Sequence, residues 1–228
     1  MNKQEIVNTV LSVIGVPPHH RENFINYVKN PYSYEEDLNE VIYIHIPKAA
    51  GKAISYSLLN APNGTGHTKL YMYERNRDKF DRYFKFTFVR NPWDRLVSAF
   101  FYVKNFRPES NDRKFFDKYI GQDSSFESFV MRLQDEKFRA LCMSWEHFTP
   151  QIDFVRNSKG EVALDFVGRL EDIEDDFERL CAILGKDMKL SVRNSGERSD
   201  YQSYYSAKMI DVAAMVYAED IKIFGYVF

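Results

Sequence analysis

Two short runs of strand-forming residues each pass directly into a loop rich in small or capping residues and then into a helix. This pairing constrains the chain more than any other feature. VIYIHI at 41–46 is β-branched and aromatic, as suits a buried strand. It leads at once into Pro47-Lys48-Ala49-Ala50-Gly51-Lys52, after which ISYSLL at 54–59 can start a helix. KFTFVR at 85–90 is the second such strand, followed by Asn91-Pro92 as a helix cap and first helical residue. Asp94 then falls at the third helical position, where a carboxylate meets the positive end of the helix dipole, and WDRLVSAFFYVK (93–104) continues the helix.

Further along, SSFESFVMRL (124–133) reads as a Ser-capped amphipathic helix and EVALDFVG (161–168) as a third strand. EDIEDDFERLCAILG (171–185) reads as a helix with a core stripe of Ile173, Phe177, Leu180, Cys181 and Leu184, its acids complementing the dipole. A last helix is expected near 206–220, with FGYVF packing on the core. Residues 105–124 are polar and read as a long excursion, and residues 3–15 have mixed helical periodicity ending at Gly15. Strands alternating with helices predict an α/β fold, a central parallel sheet flanked by helices. Residues 1–39 are set apart as a helical N-terminal extension, and 40–228 as the main domain.

Composition narrows the class. With 31 Lys+Arg against 33 Asp+Glu, the net charge of −2 argues against nucleic acid held by overall charge, while a local anion site fits. Aromatics at 16% and 44% hydrophobic residues exclude a mainly disordered chain. Cys142 and Cys181 build no disulfide framework, no CxxC is present, and both fit a reducing compartment. The N-terminal apolar stretch is broken by Asn8, Thr9 and Ser12, which makes a poor signal peptide. No apolar run reaches the roughly 18 residues of a membrane span.

In a parallel sheet, ligands bind beyond the carboxyl ends of the strands, where both loops lie. Ala49-Ala50-Gly51 would let backbone amides approach an anion, flanked by Lys48 and Lys52; a plain strand-to-helix turn with two solvated lysines accounts for the same residues. A Walker A loop fails, because Ile46 stands where its first Gly belongs and Ala53 where its magnesium-binding hydroxyl belongs.

At this point the sequence resembles the sulfotransferases. VIYIHIPKAAGKAI looks like their 5′-phosphosulfate loop, and FKFTFVRNPWDRLVSAFFYV like their 3′-phosphate element, closest to the carbohydrate-type branch (family 2). SSFESFV, HFTPQ, DFVGRLEDIEDDF and MVYAEDIKIFGYVF agree in order, so the resemblance spans about residues 41–228. It implies a P-loop-NTPase-like three-layer fold and a sulfotransferase domain at 40–228. The implied donor is 3′-phosphoadenosine-5′-phosphosulfate (PAPS), the product adenosine 3′,5′-bisphosphate (PAP), and no metal is expected. It places Lys48, with Ala49, Ala50, Gly51, Lys52 and Ala53, at the phosphosulfate, and Arg90 with Ser98 at the 3′-phosphate. His67, between the two elements, would be the base, although alone it also reads as a surface-loop histidine beside two glycines. His147 in HFTPQ would line the acceptor site. Arg193-Asn194-Ser195 matches a late loop that approaches the nucleotide, or is a plain polar turn.

Other residues read as structural: His45 hydrogen-bonded on its strand, His19 and His20 solvated, and Trp93 and Trp145 in the core, where bordering a sugar or adenine is the alternative for either tryptophan. The loop departs from the Lys-Thr-Gly-Gly-Thr-Ser of many relatives, with Lys52 and Ala53 in place of Thr and Ser. Without the membrane anchor of Golgi relatives, a soluble, cytoplasmic enzyme is expected. Its partner would be a carbohydrate or other hydroxyl-bearing acceptor, not nucleic acid, selected by residues in 61–82 and 104–124. Two other readings stay open: a nucleoside-triphosphate-dependent kinase or NTPase with a degenerate loop, and a non-catalytic glycan- or partner-binding module on the same fold.

Overall fold

A computed structural model of the chain describes residue 13 and residues 30–61, 64–121, 124–191 and 200–228. The helical reading of 3–15, the two histidines at 19–20 and the late loop at 193–195 lie outside the described residues, Val13 apart.

Helix α1 (Tyr34–Asn39) precedes strand β1 (Val41–Ile44), and α2 (Gly51–Leu59) follows it. Short helices α3 (Leu70–Tyr73) and α4 (Arg77–Arg82) lead to β2 (Phe84–Val89) and the long α5 (Pro92–Asn105). Then come α6 (Asn111–Phe115), which runs into a π-helical turn at Phe116–Ile120, and α7 (Phe126–Arg132), α8 (Glu136–Met143) and α9 (Ile152–Val155). Strand β3 (Phe166–Arg169), α10 (Ile173–Ile183), a 3-10 turn at Tyr201–Tyr204, α11 (Ala207–Val216) and α12 (Ala218–Phe224) complete the order.

Among the described residues the strands form one parallel sheet in the order β1-β2-β3. Val41 stands opposite Phe84, and Phe86 opposite Phe166. Every residue of β1 is buried, as a strand covered on both faces requires. Its side chains alternate between two cores: Ile42 and Ile44 enter one, Val41 and Tyr43 the other. The smaller core is closed by Ile54 and Leu58 of α2 and by Phe177 and Leu180 of α10. The larger is built on α5, α7 and α11, through residues such as Phe100, Phe129 and Val212. Helices therefore lie on both faces of the sheet, the three-layer α/β arrangement expected.

The start of α5 follows the expected chemistry. The Asn91 side chain accepts from Trp93 N at 3.1 Å, and Pro92 opens the helix. Ser125 likewise caps α7. Three segments differ from expectation. The excursion at 105–124 contains α6 and the π turn, and buries Phe115, Phe116 and Ile120. The third strand begins five residues late, because Val162 makes only an isolated antiparallel bridge with Arg156 and Asp165 turns its carboxylate onto Lys85 N. The last helix is two helices that meet at Tyr217, whose hydroxyl donates to the Phe148 carbonyl.

Residues 33–39 pack on the sheet. Glu36 closes a capping box with Ser33, and its buried carboxylate accepts from Tyr43 N and the Tyr73 hydroxyl. Cys142 and Cys181 are buried free thiols. Among the described residues no helix is long and apolar enough to cross a membrane.

Candidate functional site

The loop between β1 and α2 holds two non-glycine residues in the left-handed region, Lys48 at φ 70° and Ala50 at φ 60°. Each such residue costs of order 1–3 kcal/mol, strain that collects where a ligand is gripped. At the start of α2 the Ala53 amide donates to the Ala50 carbonyl at 2.9 Å, and the Gly51 and Lys52 amides stand before it at the positive end of the helix dipole. Ala49 is buried, Ala53 half-buried and Lys52 exposed. Gly51 answers to a different demand from the amide approach expected of it: a Cβ there would lie 1.8 Å from the His45 ring, so only glycine fits beneath that imidazole.

Arg90, 8% exposed, ends β2 beside this loop. Its Nη1 donates to the Lys48 carbonyl at 3.0 Å and its Nε to Asp94 at 2.7 Å. Asp94 is thus both a helix-start residue and the ion-pair partner of Arg90. Asp94, Ser98 and Tyr102 recur every four residues on α5 and so share one face. Ser98 is half-buried on that face; among the described residues no hydrogen bond joins its hydroxyl to Arg90. Tyr102 spans the two elements, with the Lys48 ammonium 3.8 Å from its ring centroid. Burial, then the Arg90 charge, pushes Lys48 down to about 8.

Three histidines gather on the other side of the loop. The His67 ring lies 4.3 Å from His45 and 6.3 Å from His147, centroid to centroid. His67 Nδ1 is 2.8 Å from the His45 carbonyl oxygen, an atom that can only accept, so Nδ1 carries the proton and Nε2 the lone pair. Burial lowers the His67 pKa, against the opposing effect of that carbonyl bond. His67 is therefore a neutral imidazole with a basic Nε2 at neutral pH. His45 is 8% exposed, and burial, with His67 next, holds it down to about 3. Among the described residues its Nδ1 has no hydrogen-bond partner, which departs from the hydrogen-bonded strand histidine expected.

His147 is 5% exposed and packs on Tyr102 at 4.7 Å. Its Nε2 meets Asp112 at 3.2 Å, and the Trp145 indole donates to the same carboxylate at 3.0 Å. Burial raises Asp112, yet the His147 bond and charge outweigh it and hold that carboxyl below its ordinary value.

The HFTPQ segment joins the elements. Gln151 accepts from Arg90 N at 2.9 Å and donates to Arg90 O at 2.8 Å, pairing with the end of β2 as another strand would. Asp220 accepts from Gln151 N and Ile152 N, both at 2.8 Å, and so starts α9. The structure brings Lys48, Arg90, His67 and His147, all singled out from sequence, to the neighbourhood of one loop. Sequence reasoning missed Tyr102, Asp112 and Gln151, although the four-residue spacing of Tyr102 from Ser98 was a usable signal.

Comparison with known proteins decides the family. The profile described as the sulfotransferase family matches residues 33–227. The chain belongs to that family. It is 25% identical over 248 aligned positions to carbohydrate sulfotransferase 12 of Mus musculus, covering 84% of this chain and 59% of that protein. With carbohydrate sulfotransferase 9 of Homo sapiens the identity is 22%, over 86% of this chain and 50% of the relative. An uncharacterized protein of Archaeoglobus fulgidus is 32% identical over 54% of this chain and 86% of its own length. The chain thus spans about half to three-fifths of the two named sulfotransferases. No solved structure matches it.

Proposed function

We propose that this sulfotransferase takes its sulfuryl group from PAPS and delivers it to a hydroxyl of a carbohydrate or glycoconjugate. The observation that carries the reading is the hydrogen bond from Arg90 to the Lys48 carbonyl, which sets a cation and an amide-rich loop side by side. A donor with phosphates at both ends of a ribose asks for two anion sites at a fixed separation. Lys48 and the amides of α2 suit its 5′-phosphosulfate; Arg90 and Ser98 suit its 3′-phosphate.

PAPS supplies a sulfuryl group on a good phosphate leaving group. His67 Nε2 takes the proton of the acceptor hydroxyl as its oxygen bonds to sulfur. Lys48 neutralises the charge that gathers on the phosphate oxygen as the bridging S–O bond breaks. The chain contributes position and electrostatics in a site shaped before the donor arrives. His147, set by Asp112, backs Tyr102 and the acceptor side. The carbohydrate class is supported by the names of the two sulfotransferases that the chain resembles.

The test is transfer of labelled sulfate from PAPS to a panel of neutral and acidic glycans. Label on a glycan hydroxyl, lost in Lys48→Ala, is the expected result. Label passing instead from the γ-phosphate of ATP, only with magnesium, would replace this reading with a kinase.

A further inference from the structure

Arg95 lies on α5, five residues beyond Arg90, and has no part in the donor contacts proposed above. It is 1% exposed and heads the largest fully buried side chains of the described residues. Its Nε donates to the Pro47 carbonyl at 3.0 Å, and one terminal nitrogen reaches Thr149 O at 2.8 Å and His147 O at 3.4 Å. All three acceptors are backbone carbonyls. The field of Asp220 supports the charge from farther away, while that carboxylate spends its own hydrogen bonds on Gln151 N and Ile152 N. Burying a guanidinium on carbonyls alone is costly, which marks the geometry it holds as one the fold requires.

That geometry is the loop. Arg95 holds the carbonyl of Pro47 and Arg90 the next one, that of Lys48, so successive peptide planes are pinned by two cations from one motif. The left-handed Lys48 lies between those planes. The other prong of Arg95 ends on the 147–149 turn, which carries His147. We infer that Arg95 is a positioning residue: through the Pro47 carbonyl it sets the Lys48 loop for the 5′ end of the donor and ties that loop to the His147 turn. Its fixed charge also opposes protonation of both Lys48 and His67. The inference rests on the proposed donor.

The test separates the two ends of that donor. Wild type and Arg95→Lys are titrated with PAP, with adenosine 5′-phosphosulfate, which lacks the 3′-phosphate, and with adenosine 3′-monophosphate, which lacks the 5′ group. Lysine keeps the charge and loses the fork that reaches both segments. Binding of PAP and the 5′-phosphosulfate should weaken about tenfold or more, and that of the 3′-monophosphate by no more than about twofold. Should Arg95→Lys not fold, Arg95→Gln is read the same way. Equal weakening of all three ligands would reduce Arg95 to general scaffolding and overturn the inference, as would unchanged binding of all three. Wild type binding none of them would instead overturn the donor reading, and the inference with it.

Discussion

His45 shows how closely residue identity and site geometry are coupled. Its ring covers Gly51, stacks loosely on Tyr43 at 5.8 Å and lies against His67, while its carbonyl fixes the His67 tautomer. Gly51→Ala drives a methyl group into that ring, so we expect a loss of about 2–4 kcal/mol, read from denaturant midpoints. As the proposed base toward the acceptor, His67 should on replacement by Ala lose about 10²–10⁴-fold in turnover and leave PAP affinity nearly unchanged. An equal loss of PAP affinity would remove it as the base. The Lys48 value of about 8 sets the alkaline limb. Activity that needs the ammonium should fall in kcat/KM above pH 8, and Lys48→Arg, always charged, should lose that limb whatever its absolute rate. Lys48 and Arg90 could be singled out from sequence because a cation where a strand passes into a helix is a local pattern. Gly51 was legible only in part: its small size was evident, but the ring that demands it comes from six residues back across a turn.

At the scale of elements, the two strand–loop–helix units are held in register by HFTPQ, a segment far from both in sequence. Gln151→Leu would leave the buried amide and carbonyl of Arg90 without partners, a cost of about 2–5 kcal/mol. It should also weaken PAP binding by moving Arg90, measurable by calorimetry on the folded variant. The caps at Asn91 and Ser125 were legible because capping is decided within one turn. The segment 105–124 was not, because the π turn at Phe116–Ile120 shifts the hydrophobic spacing away from 3.6 and hides three buried residues among charges. That same segment supplies Asp112, so its polar sequence concealed a group that orients His147. The third strand began late because Val162 makes only an isolated antiparallel bridge, and contact with β2 opens at Asp165, whose amide donates to the Lys85 carbonyl while its carboxylate accepts from Lys85 N.

For the whole molecule, a buried neutral histidine links stability to pH. Folded His45 is held near 3 while the unfolded chain binds its proton near 6.5, so stability is full above about 6.5 and falls as pH drops. The slope below that point approaches 1.4 kcal/mol per pH unit for this residue, and the lowered His67 adds the same sign. Glu36, pushed up to about 7 by burial, acts oppositely, its contribution being lost as pH rises from about 4.5 to 7. The difference in unfolding free energy between wild type and His45→Gln at pH 7.5 and pH 5 isolates the histidine: wild type should lose more on acidification. The alternation of strands and helices made the three-layer fold legible from sequence. Neighbours within one motif were legible, while Arg95 and Gln151 reach across the fold to backbone atoms, and Asp112 to the His147 ring, contacts that no sequence spacing reveals.

The central claim is that two linked anion sites hold a 3′-phosphorylated nucleotide without metal. The most direct measurement is the melting temperature with PAP, ATP and ADP, each with and without magnesium. A ligand at about 100 times its dissociation constant adds about 2.7 kcal/mol to the folded state, a clear upward shift. The account predicts that shift from PAP, equal with and without magnesium. A magnesium-dependent shift from ATP with none from PAP would contradict it.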